Sequence, residues 1–299
     1  MAKKEVKKTA KSKKTTKRST KSVVRKNKGK ARTKRTSKKG SKAQVFQLSP
    51  FIQSVLTVLV CLLLCFVFYY TSIRPYAYRW RPCHGNKFYD VCMPSSYTIH
   101  GIDISRHQGS IDWPRLAIYQ NAEVPIRFIF FKATEGGDFK DKTFDYNYAQ
   151  AKQFGFIRGA YHFFSPHTSA QKQARHFIRT VRLEKGDLPP VLDVEVLGKH
   201  SKKSIKDSVK VWLSLIEKHY KTKPILYTSY KFKNKYLNDS VLNSYPFWIA
   251  HYYVPELRYT GQWMFWQHSD VGVIPGIEQK VDLNVFNGTF DELEAFTLP

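Results

Sequence analysis

Acidic residues are nearly missing from the first 43 positions, where one acid, Glu5, stands against about 20 of the chain's 50 Lys and Arg. The rest of this arm is mostly Ser, Thr, Ala and Gly. With almost nothing to bury it is expected to be disordered. Residues 51–70 lack the complementary set: no charge, no Gly and no Pro, with 17 of 20 positions apolar or aromatic. At 1.5 Å per residue such a helix extends about 30 Å, the thickness of a bilayer core. A removable signal peptide has a shorter apolar region followed by a small-residue cleavage site, and neither condition is met here.

The aromatic cluster Phe66, Phe68, Tyr69 and Tyr70 suits a membrane interface, so the run reads as a retained signal anchor, a single transmembrane helix. The cations precede it, and only Arg74, Arg79 and Arg81 follow closely. That bias keeps the arm cytoplasmic and places the remainder in a periplasm or outside the cell. Removing the arm's roughly +19 from the net +27 leaves about +8, so the outer part is only mildly basic. The arm also suits anionic lipid headgroups or non-specific nucleic acid. It lacks aromatic interleaving and any nucleic-acid-binding fold, which excludes sequence-specific readout.

Cysteine is scarce, four in 299 residues. Cys61 and Cys65 lie inside the apolar run as small apolar residues. Cys83 and Cys92 fall beyond it, where the compartment is oxidising, and are expected to close a short disulfide loop. Their spacing matches no zinc signature, with only His84 and Asp90 between them as further ligands. No cofactor or metal site is expected.

The remaining 200 or so residues suffice for one barrel-sized domain. Eight apolar runs of strand length recur: residues 99–104, 128–133, 159–164, 190–195, 224–228, 247–251, 264–267 and 280–286. Helical patterns separate the early ones, at 143–154, 169–183 and 202–220, which implies βαβ units and a parallel sheet. Helical patterning fades after the fifth strand. Acids close several of these runs. In Leu192-Asp193-Val194-Glu195 strand geometry puts both carboxyls on one face, and Asp103 and Asp282 end two other runs. Isolated acids among aliphatic neighbours are costly to bury unless they are paired or line a wet cleft. Paired carboxylates facing a cleft are what glycosidic bond cleavage needs, one to protonate the leaving oxygen and one to support the developing positive charge. For Asp103 or Asp282 alone, a loop-capping acid is the competing reading.

The runs are also familiar as sequence. Gly101-Ile102-Asp103-Ile104-Ser105-Arg106-His107-Gln108-Gly109 and Ile111-Asp112-Trp113 resemble the opening of a glycoside hydrolase family 25 lysozyme. The likeness continues through Phe131-Lys132-Ala133-Thr134-Glu135-Gly136, Gly159-Ala160-Tyr161-His162-Phe163-Phe164 and Leu192-Asp193-Val194-Glu195. It closes with Tyr227-Thr228, Trp248-Ile249-Ala250-His251-Tyr252, Trp266-Gln267 and Val281-Asp282-Leu283-Asn284.

The resemblance implies an α/β fold, an irregular (β/α)5(β)3 TIM-like barrel, and a muramidase that hydrolyses the β-1,4 bond between N-acetylmuramic acid and N-acetylglucosamine in peptidoglycan. The organisation expected is a cytoplasmic arm at 1–44, a signal anchor at 45–73, a juxtamembrane linker with Cys83 and Cys92 at 74–96 and a catalytic barrel at 97–299. The partners expected are peptidoglycan glycan strands and the membrane. The sequence points to no specific protein partner.

By position in that resemblance Glu195 is the general acid, the group expected to keep its proton among the four carboxyls Asp103, Asp193, Glu195 and Asp282. Asp193 suits a substrate-assisted route, orienting the 2-acetamido group toward the anomeric carbon, with direct inversion through a water on Asp193 or Asp282 as the alternative. Tyr161, Tyr227 and Tyr252 are candidates to stack on sugar, whereas Trp248 and Trp266 read as core. Lys132 and Gln267 are candidates to bind substrate or to hold the acids. His107 and His162 lack a zinc spacing and read as structural. Two other functions fit the same residues, a tether that binds peptidoglycan without cutting it and a hydrolase of another amino-sugar polymer. A further reading makes the arm the functional part and the barrel passive.

Overall fold

A computed structural model describes residues 48–74, 83 and 86–299 of the chain. The arm expected to be disordered, residues 1–44, lies outside them, as does most of the linker up to residue 85. The chain divides into two compact units, residues 1–60 and 61–299, with the boundary inside the apolar run.

That run forms α1 (Pro50–Phe68), continued by a π-helical turn at Tyr69–Ile73. Its side chains are exposed throughout, and it is the one helix among the described residues long and apolar enough to cross a membrane. Cys83 and Cys92 are bonded to each other, as expected, with Cα atoms 5.5 Å apart. The bond closes a hairpin of β1 (Lys87–Phe88) and β2 (Val91–Cys92).

From residue 100 onward the eight apolar runs all become strands. In chain order the elements are β3 (His100–Ile104), α2 (Trp113–Ala117), β4 (Ile126–Glu135), β5 (Phe139–Lys140), α3 (Phe144–Gln153), β6 (Ile157–Phe163), α4 (Ala170–Thr180), β7 (Val191–Asp193), α5 (Lys202–Tyr220), β8 (Ile225–Ser229), α6 (Tyr230–Tyr236), β9 (Phe247–Ala250), β10 (Phe265–Gly272), β11 (Val281–Phe286) and α7 (Phe290–Ala295). The sheet runs β3-β11-β10-β9-β8-β7-β6-β4, and a further β3–β4 pairing closes it into an eight-stranded barrel. Seven strands run parallel and β11 alone runs against both of its neighbours. The two-residue β5 folds back on β4 outside the ring.

Alternation along each strand sorts the apolar residues into two cores. Ile102, Ile129, Phe131, Leu192 and Ile249 face outward and pack with Phe177, Val209 and Trp212 of the helices. The opposite set, including Phe128, Phe130, Val191, Ile225, Trp248, Phe265 and Phe286, fills the ring, and Leu293 and Phe290 of α7 close its lower end. Glycines make room for the largest of these rings. A Cβ on Gly101 would lie 2.4 Å from the Phe128 ring, and one on Gly159 would lie 2.5 Å from that of Phe130. Aromatic filling therefore stops partway up the barrel. Polar side chains occupy the upper end, where the parallel strands finish and β11 begins.

Candidate active site

A cleft of about 280 Å³ opens at that upper end. Each of the nine site residues expected from sequence lines it: Asp103, Lys132, Tyr161, Asp193, Glu195, Tyr227, Tyr252, Gln267 and Asp282. They come from all eight strands of the ring or the segments that follow them, so closure of the ring is what brings them together.

Asp103 is the most tightly held. Its Oδ2 accepts from Gln267 Nε2 at 2.6 Å and from Asn284 Nδ2 at 2.8 Å. The other end of each amide is engaged as well. Tyr227 and Tyr252 donate their hydroxyls to Gln267 Oε1 at 2.6 and 2.7 Å, and Trp248 Nε1 donates to Asn284 Oδ1 at 2.9 Å. Amide orientation is thus fixed from both sides, and both NH2 groups are turned onto one carboxylate oxygen. Trp248 stacks on Phe130 with ring centroids 4.4 Å apart, so the network is footed on the aromatic plug below.

Asp282 is the register partner of Asp103 across the antiparallel β11–β3 pair. Burial pushes both carboxyls above the usual range. The two amide donors restrain the rise at Asp103, while the Asp103 charge drives Asp282 further up. Two like charges this close in a buried pair disfavour double ionisation, and of the two Asp282 is the one pushed further up.

β7 ends at Asp193, so Glu195 lies just past the strand expected to carry it. The extended path continues nonetheless, because Val194 N donates to Tyr227 O at 3.0 Å and Thr228 Oγ1 donates to Val194 O at 2.6 Å. Asp193 and Glu195 therefore still project together, but into different surroundings. Asp193 is buried, and its Oδ1 has no hydrogen-bond partner among the described residues. Glu195 is exposed as a residue, although its carboxyl faces the cleft. Burial raises both pKa values. The Glu195 charge pushes Asp193 up further, whereas the Tyr227 hydroxyl and the Lys132 ammonium restrain Glu195. Both carboxyls of this pair are thus held above the usual carboxylate range.

Lys132 donates from Nζ to Glu135 Oε2 at 2.7 Å and sits 4.7 Å from the centroid of the Phe163 ring. Ser105, His107, Gln108 and Phe163 join the cleft wall and were not singled out as site residues. Asn284 was also passed over, although it stands two residues from Asp282 on the same strand. Trp248 proves to be both core and cleft floor. Trp266 is core alone, fully buried with Nε1 bonded to His251 O at 2.8 Å. His162 faces outward, fully buried between Thr134 Oγ1 at 2.7 Å and Gln173 Oε1 at 3.0 Å and stacked on Trp212, a structural role.

Comparison with known proteins agrees with this arrangement. The model of glycosyl hydrolases family 25 matches residues 102–277. A protein named YegX from Escherichia coli K12 is 45% identical over 234 residues, 77% of this chain and 85% of that one. Lysozyme M1 of Streptomyces globisporus is 32% identical over 212 residues, 66% of this chain and 70% of the lysozyme. Among solved structures, a family 25 glycosyl hydrolase from Bacillus anthracis superposes with a TM-score of 0.63 at 31% identity, covering 73% of this chain and all of that one. Sequence, barrel and acid-lined cleft agree that the chain belongs to glycosyl hydrolase family 25.

Proposed function

We propose that this chain is a lysozyme-like muramidase, hydrolysing the β-1,4 bond between N-acetylmuramic acid and N-acetylglucosamine in peptidoglycan. The observation that carries the reading is the convergence of Asp103, Asp193, Glu195 and Asp282 on one cleft in a family 25 chain. Relatives named as lysozymes and muramidases support it.

In this reading the barrel is a (β/α)5(β)3 TIM-like barrel, and catalysis occupies the end where such barrels work. The unpartnered Oδ1 of Asp193 accepts the N–H of the substrate's 2-acetamido group, turning its carbonyl oxygen toward the anomeric carbon. A hydrogen bond to the charged form lowers the Asp193 pKa, and the proton of the pair then belongs on Glu195. Glu195 delivers it to the departing glycosidic oxygen as the acetamido oxygen closes on the anomeric carbon, and then activates the water that opens the ring so formed. Asp103, held ionised by two amides, faces the positive charge that develops on the sugar. Tyr161 and Tyr252 offer ring faces to the glycan.

The same proposal keeps the organisation read from sequence: a cytoplasmic basic arm at 1–44 available to anionic lipid or nucleic acid, a transmembrane anchor at 45–73, a linker at 74–96 and the barrel at 97–299, outside the cytoplasm. An anchored enzyme reaches only glycan near its own bilayer.

Digestion of purified peptidoglycan by the full-length protein in detergent, beside Glu195→Gln, tests the chemistry. Fragments ending in reduced muramic acid are expected from the parent alone. Absence of products from the parent, with glycan still bound, would replace the enzyme by a wall tether. The anomer formed first on a defined fragment tests the route, since initial inversion rules out participation by the acetamido group.

A further inference from the structure

A second concavity of about 910 Å³, larger than the catalytic cleft, lies between the disulfide-closed hairpin and the β10–β11 connection. Its far wall belongs to the barrel, where Ile111 bridges to Ile277. Its near wall is the hairpin tip, which lies outside the segment matched by the family model.

The tip is built at a cost. Tyr89 and Asp90 form the two-residue turn with φ of 52° and 59°, the left-handed pair that normally selects Asn-Gly. A bulky aromatic residue held there is strained, and such strain persists only where the surroundings fix it. They do so here. Tyr89 donates its hydroxyl to Val124 O, its own carbonyl accepts from Val273 N at 2.9 Å, and Cys83–Cys92 ties the base of the hairpin. The hairpin is therefore a fixed wall.

The concavity adjoins the cleft. Gln108 lines the cleft and Ser110 lines the groove, two residues and so at most about 7 Å apart along the chain. Gln108 Nε2 also donates to Lys280 O at 3.0 Å, tying that shared rim to the β10–β11 connection. Opposite charges face the groove without satisfying each other. The Arg115 guanidinium and the Glu278 carboxylate are exposed, and neither has a side-chain partner among the described residues.

We propose that this groove binds the peptide stem that muramic acid carries in peptidoglycan, Arg115 taking a stem carboxylate and Glu278 the ammonium group of its diamino acid. The inference rests on the muramidase reading, because a glycan seated at Glu195 is what brings a stem to the adjoining groove. The glycan of stem-bearing strands is neutral and offers nothing to an unpaired guanidinium and carboxylate, whereas a stem carries both charges.

Two measurements on the full-length protein in detergent test it. The first compares kcat/KM on glycan strands bearing stems with kcat/KM on the same strands stripped by an amidase. The parent should favour stem-bearing strands about fivefold through KM, as expected for exposed charge-assisted contacts. The ratio should fall to about one in Arg115→Glu and in Glu278→Lys. The second is calorimetric titration with the isolated stem tetrapeptide, whose affinity should drop about tenfold in either variant. Unchanged ratios together with unchanged peptide affinity would overturn the groove as a stem site. The two readings fail separately: parent and Glu195→Gln on stripped strands report on muramidase chemistry, while the peptide titration reports on the groove whether or not any bond is cut.

Discussion

Asp282 on β11 stands directly opposite Asp103 on β3, and burial together with the Asp103 charge pushes the Asp282 carboxyl above the usual range. The pairing is electrostatically lopsided, since two amides hold Asp103 and none holds Asp282.

Stability should therefore respond to pH in an unusual direction. Asp282, Asp103, Asp193 and Glu195 all have folded pKa values above their unfolded ones, so the folded state binds more protons and loses stability as pH rises through the window between them. For Asp282 that window extends from about 3.8 to about 9. Buried His100, lowered to about 4, and His162 and His268, lowered to about 3, act the other way, but only below the ordinary histidine value of 6.5. Between about pH 6.5 and 9 Asp282 still loses its proton preference while these histidines no longer contribute, and the Tm should fall across that interval. Asp282→Asn should flatten the fall in a calorimetric series, and an unchanged slope would refute the raised Asp282 pKa.

Gln267 should behave as a positioning residue and not as a substrate ligand, because its Nε2 is given to Asp103 and its Oε1 to two phenols. Gln267→Ala should lower kcat about 10- to 100-fold while KM stays within about twofold, the pattern of an interaction realised in the transition state. It should also shift the pH–rate profile upward, since Asp103 loses a donor to its charged form. A rise in KM alone would return Gln267 to substrate binding.

The aromatic plug should resist any added volume. Gly101→Ala would drive a methyl into the Phe128 ring, and overpacking of this kind typically costs about 1–3 kcal/mol. Urea denaturation should show that loss, and a companion Phe128→Leu should recover part of it.

Replacing Cys83 and Cys92 by serine should cost about 2–3 kcal/mol by the loop-entropy relation for a nine-residue separation. Because the hairpin lies beyond the ring, the loss should appear first as faster amide exchange at Tyr89 and Val91, with barrel strands protected as before.

Much of this was legible in the sequence because strands carry their burial in alternation. Eight apolar runs gave eight strands, and acids ending those runs met in one cleft. The same logic held enough to find Asn284, which shares a face with Asp282 two residues away, but an amide among aliphatic residues carries no chemical signature of its own. Trp248 was read as core because its ring is, while its indole N–H serves the site. The hairpin escaped because its strands are two residues long and its turn is Tyr-Asp, without the residues that left-handed turns normally select. Depth is not legible in a two-residue spacing either, since Asp193 is buried and Glu195 is exposed as a residue on the same extended path.

The antiparallel β11 also sets an order of events during synthesis. The ring shuts between β3, its first strand, and β11, its last, and the seam it closes is the one carrying Asp103 and Asp282. A nascent chain that has exposed Asp193 and Glu195 still lacks Asp282 and Asn284. Completion of the ring and arming of the enzyme are consequently a single event, reached only once β11 has been made, and a product truncated before β11 is disarmed by its own topology.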